Sequence, residues 1–117
     1  MIEARIYTLL RGLVSDRVYP RIAPLNAGTP YITYFRAGGH ARNFLGRELP
    51  GTNHSHIQIN VWGTDALVVA QLAQAVSDAM TLATTMIAEP LGAPVDDYET
   101  DTQLYGSRQD FSCWWDR

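Results

Sequence analysis

Three groups of side chains have the types and spacing to do chemistry. His54-Ser55-His56, together with His40, offers three imidazoles, enough in number for a zinc site. Asp96-Asp97-Tyr98-Glu99-Thr100-Asp101 crowds carboxylates as a divalent-cation loop would. It lacks the glycine at the sharp turn and the distal glutamate of a calcium loop, so a solvated acidic turn competes with it. No carboxylate close to the histidines is implied by sequence, and solvent-exposed polar positions at the start of a strand explain them better. Serine, histidine and aspartate all occur, but no Gly-x-Ser-x-Gly elbow does. Gly38-Gly39 belongs to no phosphate-binding loop, since the chain contains no lysine. Cys113 is the sole cysteine, which rules out an internal disulfide and a cysteine zinc site; between Ser112 and Trp114 it reads as a packed thiol. The expectation is no catalytic residue, no metal and no cofactor.

Charge is more informative. Residues 1–63 hold seven arginines against Glu3, Asp16 and Glu48, a net +4; residues 64–117 hold Arg108 and Arg117 against nine acids, a net −7. The halves have opposite sign although the whole chain carries only −3, with a pI near 5.4. That balance argues against a dedicated nucleic-acid binder, which needs excess cations to displace counterions from phosphate. Arginine as the only cation suits bidentate pairing with carboxylates across an interface, and base composition of the gene accounts for it equally well. No apolar run approaches the roughly 20 residues of a membrane span, and the N-terminus lacks the pattern of a secretory signal. A cytosolic protein is expected.

The 117 residues, 46% of them apolar, suit one domain spanning 1–117. Ile2, Ile6, Leu9, Leu10 and Leu13 predict a helix over about residues 2–12, stopped near Gly12. Arg17-Val18-Tyr19 predicts a short extended segment closed by Pro20, and the proline-rich stretch up to Pro30 a loop. Tyr31 to Arg36 predicts a strand. His56 to Trp62 predicts another, with Ile57, Ile59 and Val61 on the buried side and His56, Gln58, Asn60 and Trp62 on the other. Between them, 38–55 is too long for a hairpin and carries Arg42 and Arg47 beside Phe44, Leu45 and Leu49, so it is a candidate interface. Thr64 is the expected N-cap of a helix running to about residue 83, with Val69, Leu72, Ala73, Val76 and Met80 as its apolar stripe. Short strands follow around 86–89 and 95–99. A final strand over about 102–115 places Tyr105, Phe111, Cys113 and Trp115 on one face. The fold class is α+β, a mainly antiparallel sheet of about four to five strands with two helices on one face. On its polar strand face, Trp62 lies under a second layer or in a subunit contact.

Several phrases in this order resemble the short tail-completion, tail-terminator or head-tail joining proteins of long-tailed bacteriophages and prophages. They are the amphipathic N-terminal helix, Asp16-Arg17-Val18-Tyr19-Pro20, Ala23-Pro24, Pro30-Tyr31-Ile32-Thr33-Tyr34, Ile57-Gln58-Ile59-Asn60-Val61-Trp62, the alanine-rich helix, and Leu104-Tyr105 through Asp110-Phe111-Ser112. The chain departs from the pattern at Asn60, where aspartate is expected, and at Gln71. The resemblance implies a non-enzymatic ring, of six copies, at the head-proximal end of the tail tube. Its partners would be further copies, the tail-tube protein and the head connector, with DNA passing through unbound. It would assemble in the host cytoplasm and end in the virion. A ring needs two different patches that fit each other, and the uneven charge supplies them. Arg36, Arg42 or Arg47 of one copy would face Asp96, Asp97, Glu99 or Asp101 of the next. The competing readings are a small metal-dependent hydrolase or ligand-binding domain using His54 and His56, and a host dimerisation module.

Overall fold

Ile57, Ile59 and Val61 alternate with polar neighbours, and this alternation fixes which side of the sheet the helices cover. A computed structural model describes residues 1–39 and 52–116. The elements are α1 (Ile2–Leu10), β1 (Val18–Pro20), β2 (Tyr31–Arg36), β3 (Thr52–Gly63), α2 (Ala66–Thr81), β4 (Ile87–Pro90), β5 (Val95–Glu99) and β6 (Leu104–Asp116). The sheet runs β1-β2-β3-β6-β4, with β5 also on β6. Every pairing is antiparallel except β1 with β2. The class is the expected α+β.

Among the described residues six strands form where four to five were expected, because one edge is interrupted. β4 and β5 both run antiparallel to β6, at 111–114 and 104–108 respectively, and the stretch from Leu91 to Pro94 divides them. The interruption is pinned by Leu91 N–H donating to Asp110 O at 2.9 Å and by Gln109 Nε2 donating to Gly92 O at 2.9 Å.

One face of the sheet is dry. Ile32, Ile57, Ile59, Val61, Phe111 and Cys113 are buried there against Ile2, Ile6 and Leu10 of α1 and Val69, Val76 and Met80 of α2. Each such aliphatic side chain contributes about 1.5–3 kcal/mol by leaving water. Trp115 packs on the rim of this core and donates from Nε1 to Ser55 Oγ at 3.1 Å. Arg5 closes the same end, donating to Thr85 O at 2.7 Å and to Asp116 O at 2.9 Å.

Several boundaries differ from the sequence-based expectation. α1 tightens into a 3-10 turn over Arg11–Leu13, and the change of period rotates Leu13 outward and brings Val14 into the core. The reversal occurs at Ser15 and Asp16, both at positive φ, with Asp16 N–H donating to Arg11 O at 2.8 Å; Gly12 is not the stop. The N-cap of α2 is Asp65 rather than Thr64. Its Oδ1 accepts from Leu67 N–H at 2.8 Å and Val68 N–H at 3.4 Å. β3 begins at Thr52, four residues before the expected start, because Thr52 to Ser55 pair with the end of β6. No apolar alternation marks that stretch.

Candidate assembly surface

Among the described residues no helix covers the second sheet face, and its side chains follow from register. From β2 come Tyr31, Thr33 and Phe35; from β3, His54, His56, Gln58, Asn60 and Trp62; from β6, Arg108, Asp110, Ser112 and Trp114; from β5, Val95, Asp97 and Glu99. Trp62 lies directly over Gly106, its cross-strand partner: a Cβ built on Gly106 would stand 2.5 Å from the indole ring. Trp62 thus covers its own sheet in the isolated chain.

The histidines share this face because β3 reaches back to Thr52. His54 Nε2 lies 2.6 Å from Ser112 Oγ, and its ring sits 4.4 Å from that of Trp114. His56 Nε2 lies 3.1 Å from Asp110 Oδ2, in ion-pair range but without hydrogen-bond alignment. Sequence reasoning found no carboxylate near these imidazoles. Asp110 is there because antiparallel pairing of β3 with β6 brings it diagonally across from His56. The serine contact and the aspartate contact involve different imidazoles, so they form no Ser-His-Asp relay. Among the described residues no cluster of three His, Cys, Asp or Glu side chains is grouped to hold a metal ion. His40 lies outside them.

Arg36 ends β2 and donates from Nη2 to Glu3 Oε1 at 2.7 Å, a bond within the chain across the α1 side of the sheet. Arg42 and Arg47 lie outside the described residues. The remaining arginines divide by role. Arg11 pairs with Asp16 at 2.8 Å, and this carboxylate raises the guanidinium pKa further. Arg17 donates from Nε to Pro30 O at 2.8 Å and holds the return of the loop after β1, its stem packed closely against Gly28. Arg21 and Arg108 line a trough of about 750 Å³ on the open face.

That trough runs between the loop over residues 21–29 and β5, with Gln58, Asn60 and Trp62 along its floor. Asp97 and Glu99 form part of the far wall. Glu99 is near enough to Tyr31 to add to the upward shift of its phenol, of which burial is the larger cause. All of β5 is exposed, as is Asp101 in the turn after it. Arg36 and the acids therefore sit at opposite edges of the sheet, β2 with β1 at one side and β5 at the other. Within the chain Arg36 is therefore paired with Glu3 and not with the acids of β5.

Sequence reasoning missed the most exposed apolar side chains of that surface, Ile22 (81% accessible) and Leu25 (92%). They lie between prolines with no helical or strand period, so no pattern singles them out.

Among the described residues no helix is long and apolar enough to cross a membrane. A solved chain from a structure titled "Virion of native gene transfer agent (GTA) particle" has the same fold, with a TM-score of 0.65 at 17% identity, 99% of this chain and 95% of that one being covered. No protein of curated function matches. A family model described as "Tail completion protein gp17" matches residues 4–116. A match over nearly every residue, from α1 through β6, shows that the chain belongs to the phage tail completion protein gp17 family.

Proposed function

We propose that this tail-completion protein caps the head-proximal end of the tail tube, ends its polymerisation and joins the tail to the head connector, acting as a hexameric ring without catalysis. The observation that carries this reading is the family match across 4–116; the fold shared with a virion chain accords with it. The charge geometry suits the role. A ring requires heterologous contact between unlike patches, and the arginine end of β2 and the acidic β5 stand at opposite edges of one sheet. A channel that lets DNA through benefits from a protomer with net negative charge, since cationic walls would hold phosphate.

In the proposed contact Arg36, Arg42 or Arg47 meets Asp96, Asp97, Glu99 or Asp101 of the next copy, and Trp62 lies beside it. Arg36 must then give up or share Glu3. Both partners of that ion pair are more than two-fifths exposed, so exchanging one carboxylate for another costs little.

Phage lacking the gene should produce heads and tails that stay unjoined, with tubes of uncontrolled length in electron micrographs, and the wild-type chain supplied in trans should restore joined particles. Joined particles of normal tail length in its absence overturn the role. Arg36→Glu combined with Arg42→Glu and Arg47→Glu should weaken ring formation at least tenfold; unchanged assembly by solution mass rejects the charge pairing while leaving the role standing.

A further inference from the structure

The stretch from Arg21 to Ala27 is apolar, exposed and held in shape. Ile22 N–H donates to Pro20 O at 2.8 Å, Ala27 N–H donates to Pro24 O at 3.1 Å, and Arg21 and Asn26 take the positive φ those turns require. Ile22 and Leu25 stand on these turns and point away from the core. With its ends fixed by β1 and by Arg17, the loop is a preformed finger, and its ordering entropy is already met by folding. At the opposite edge of the sheet, Ile87, Leu91 and Val95 are exposed along β4, the interruption and β5. Each edge thus carries apolar side chains with charge beside them. Arg21 precedes Ile22, and Asp96 and Asp97 follow Val95.

We infer that the finger bearing Ile22 and Leu25 docks on the Ile87–Leu91–Val95 edge of a second copy, with Arg21 reaching Asp96 or Asp97 there. The inference rests on the homo-oligomer in the proposed function and names the surface through which it forms. The occupant is a second copy because the two edges complement each other in both apolarity and sign. The occupant is not the same edge of that copy. β5 against β5 would set Asp96, Asp97 and Glu99 against like charges, which destabilises directly opposed strands. Finger against finger would leave the acidic edge uncovered. Only the unlike pairing satisfies both, and because the two edges lie on opposite sides of the sheet, it leaves each copy able to accept another.

Two variants separate the halves of the contact. Ile22→Asp with Leu25→Asp removes the finger, and Leu91→Asp with Val95→Asp removes the receiving edge; all four side chains are more than half exposed, and melting temperatures check that both variants fold. Sedimentation should show wild-type chain in species larger than a dimer and each variant alone as a monomer. An equimolar mixture should give a one-to-one dimer and nothing larger, because one good finger meets one good edge. A mixture that stays monomeric, either variant retaining the wild-type mass, or wild-type chain monomeric up to its solubility limit overturns the inference. Restoration of joined particles is scored separately. A finger variant that restores them fully sinks the docking contact and leaves the tail role intact.

Discussion

Gly106 shows how a single missing side chain shapes the open face. The Trp62 ring occupies the space where a Cβ would stand, so Gly106→Ala must push the indole off the sheet. Overpacking of this kind costs about 1–3 kcal/mol. In a Trp62→Ala background the same change should cost nothing, or stabilise slightly, because alanine is less flexible than glycine in the unfolded chain. Denaturant titration of the four proteins closes the cycle, and additive effects of the two changes exclude the stacking contact. Cys113 gives a second test at this scale. It is wholly buried, and burial pushes its thiol up to about 12 from an ordinary 9.0. Native protein should resist thiol reagents that label the unfolded chain at once. Between those two pH values the unfolded thiol has lost its proton and the folded one keeps it. Stability must therefore fall as pH rises, by up to about 1.4 kcal/mol per pH unit from this group. Cys113→Ala should flatten the slope of chemical-denaturation stability above pH 9.0, and an unchanged slope assigns the alkaline loss to other groups.

Among the elements, α2 offers a direct choice between neighbouring residues. Asp65→Ala removes the acceptor of two orphan N–H groups and should cost about 1 kcal/mol; Thr64→Ala should cost only a few tenths. Equal losses in thermal unfolding would mean that the cap is shared. Sequence reasoning placed the cap on Thr64; Asp65 is as good an N-cap type, and only the backbone decides which side chain turns back over the first helical turn. The same division runs through the fold. The strand over 56–62, the α2 stripe and the Phe111-Cys113-Trp115 face were legible because burial on one side leaves a period of two or 3.6 in the residue types. The start of β3 at Thr52 was not, because its pairing is dictated by the far end of β6, and Ser55 is buried by a bond to Trp115 rather than by being apolar. The end of α1 escaped for a related reason: a shift to three residues per turn exchanges Leu13 for Val14, and both are apolar. In the candidate surface, the acids of β5 were visible as a run. The nearness of Asp110 to His56 and the edge-to-edge opposition of Arg36 and β5 were not, since both depend on strand order. The intrachain use of Arg5, Arg11, Arg17 and Arg36 could not be read from composition either.

At the scale of the whole molecule, Arg36 and the acids of β5 stand at opposite edges of the sheet, with consequences for how association through those edges responds to salt. Exposed charges at an interface are screened over about 10 Å at 0.1 M salt. If opposite edges attract, raising salt should loosen the oligomer, and reversing Asp97 and Glu99 to arginine should remove most of that dependence while weakening association. Sedimentation across a salt series reads both, and salt-independent mass for the wild type would mean that apolar contact alone holds copies together. One feature bears on a hazard rather than on assembly. The outer margin formed by β4 and β5 is cut by the Leu91–Pro94 stretch, with Pro90 ending one piece and Pro94 preceding the other, and carries carboxylates on the second piece. Neither half is long enough to template an extended cross-β ladder, and proline supplies no amide hydrogen for one. Sideways recruitment through backbone is thereby barred at this margin. Copies that accumulate before assembling should therefore not template one another through this margin.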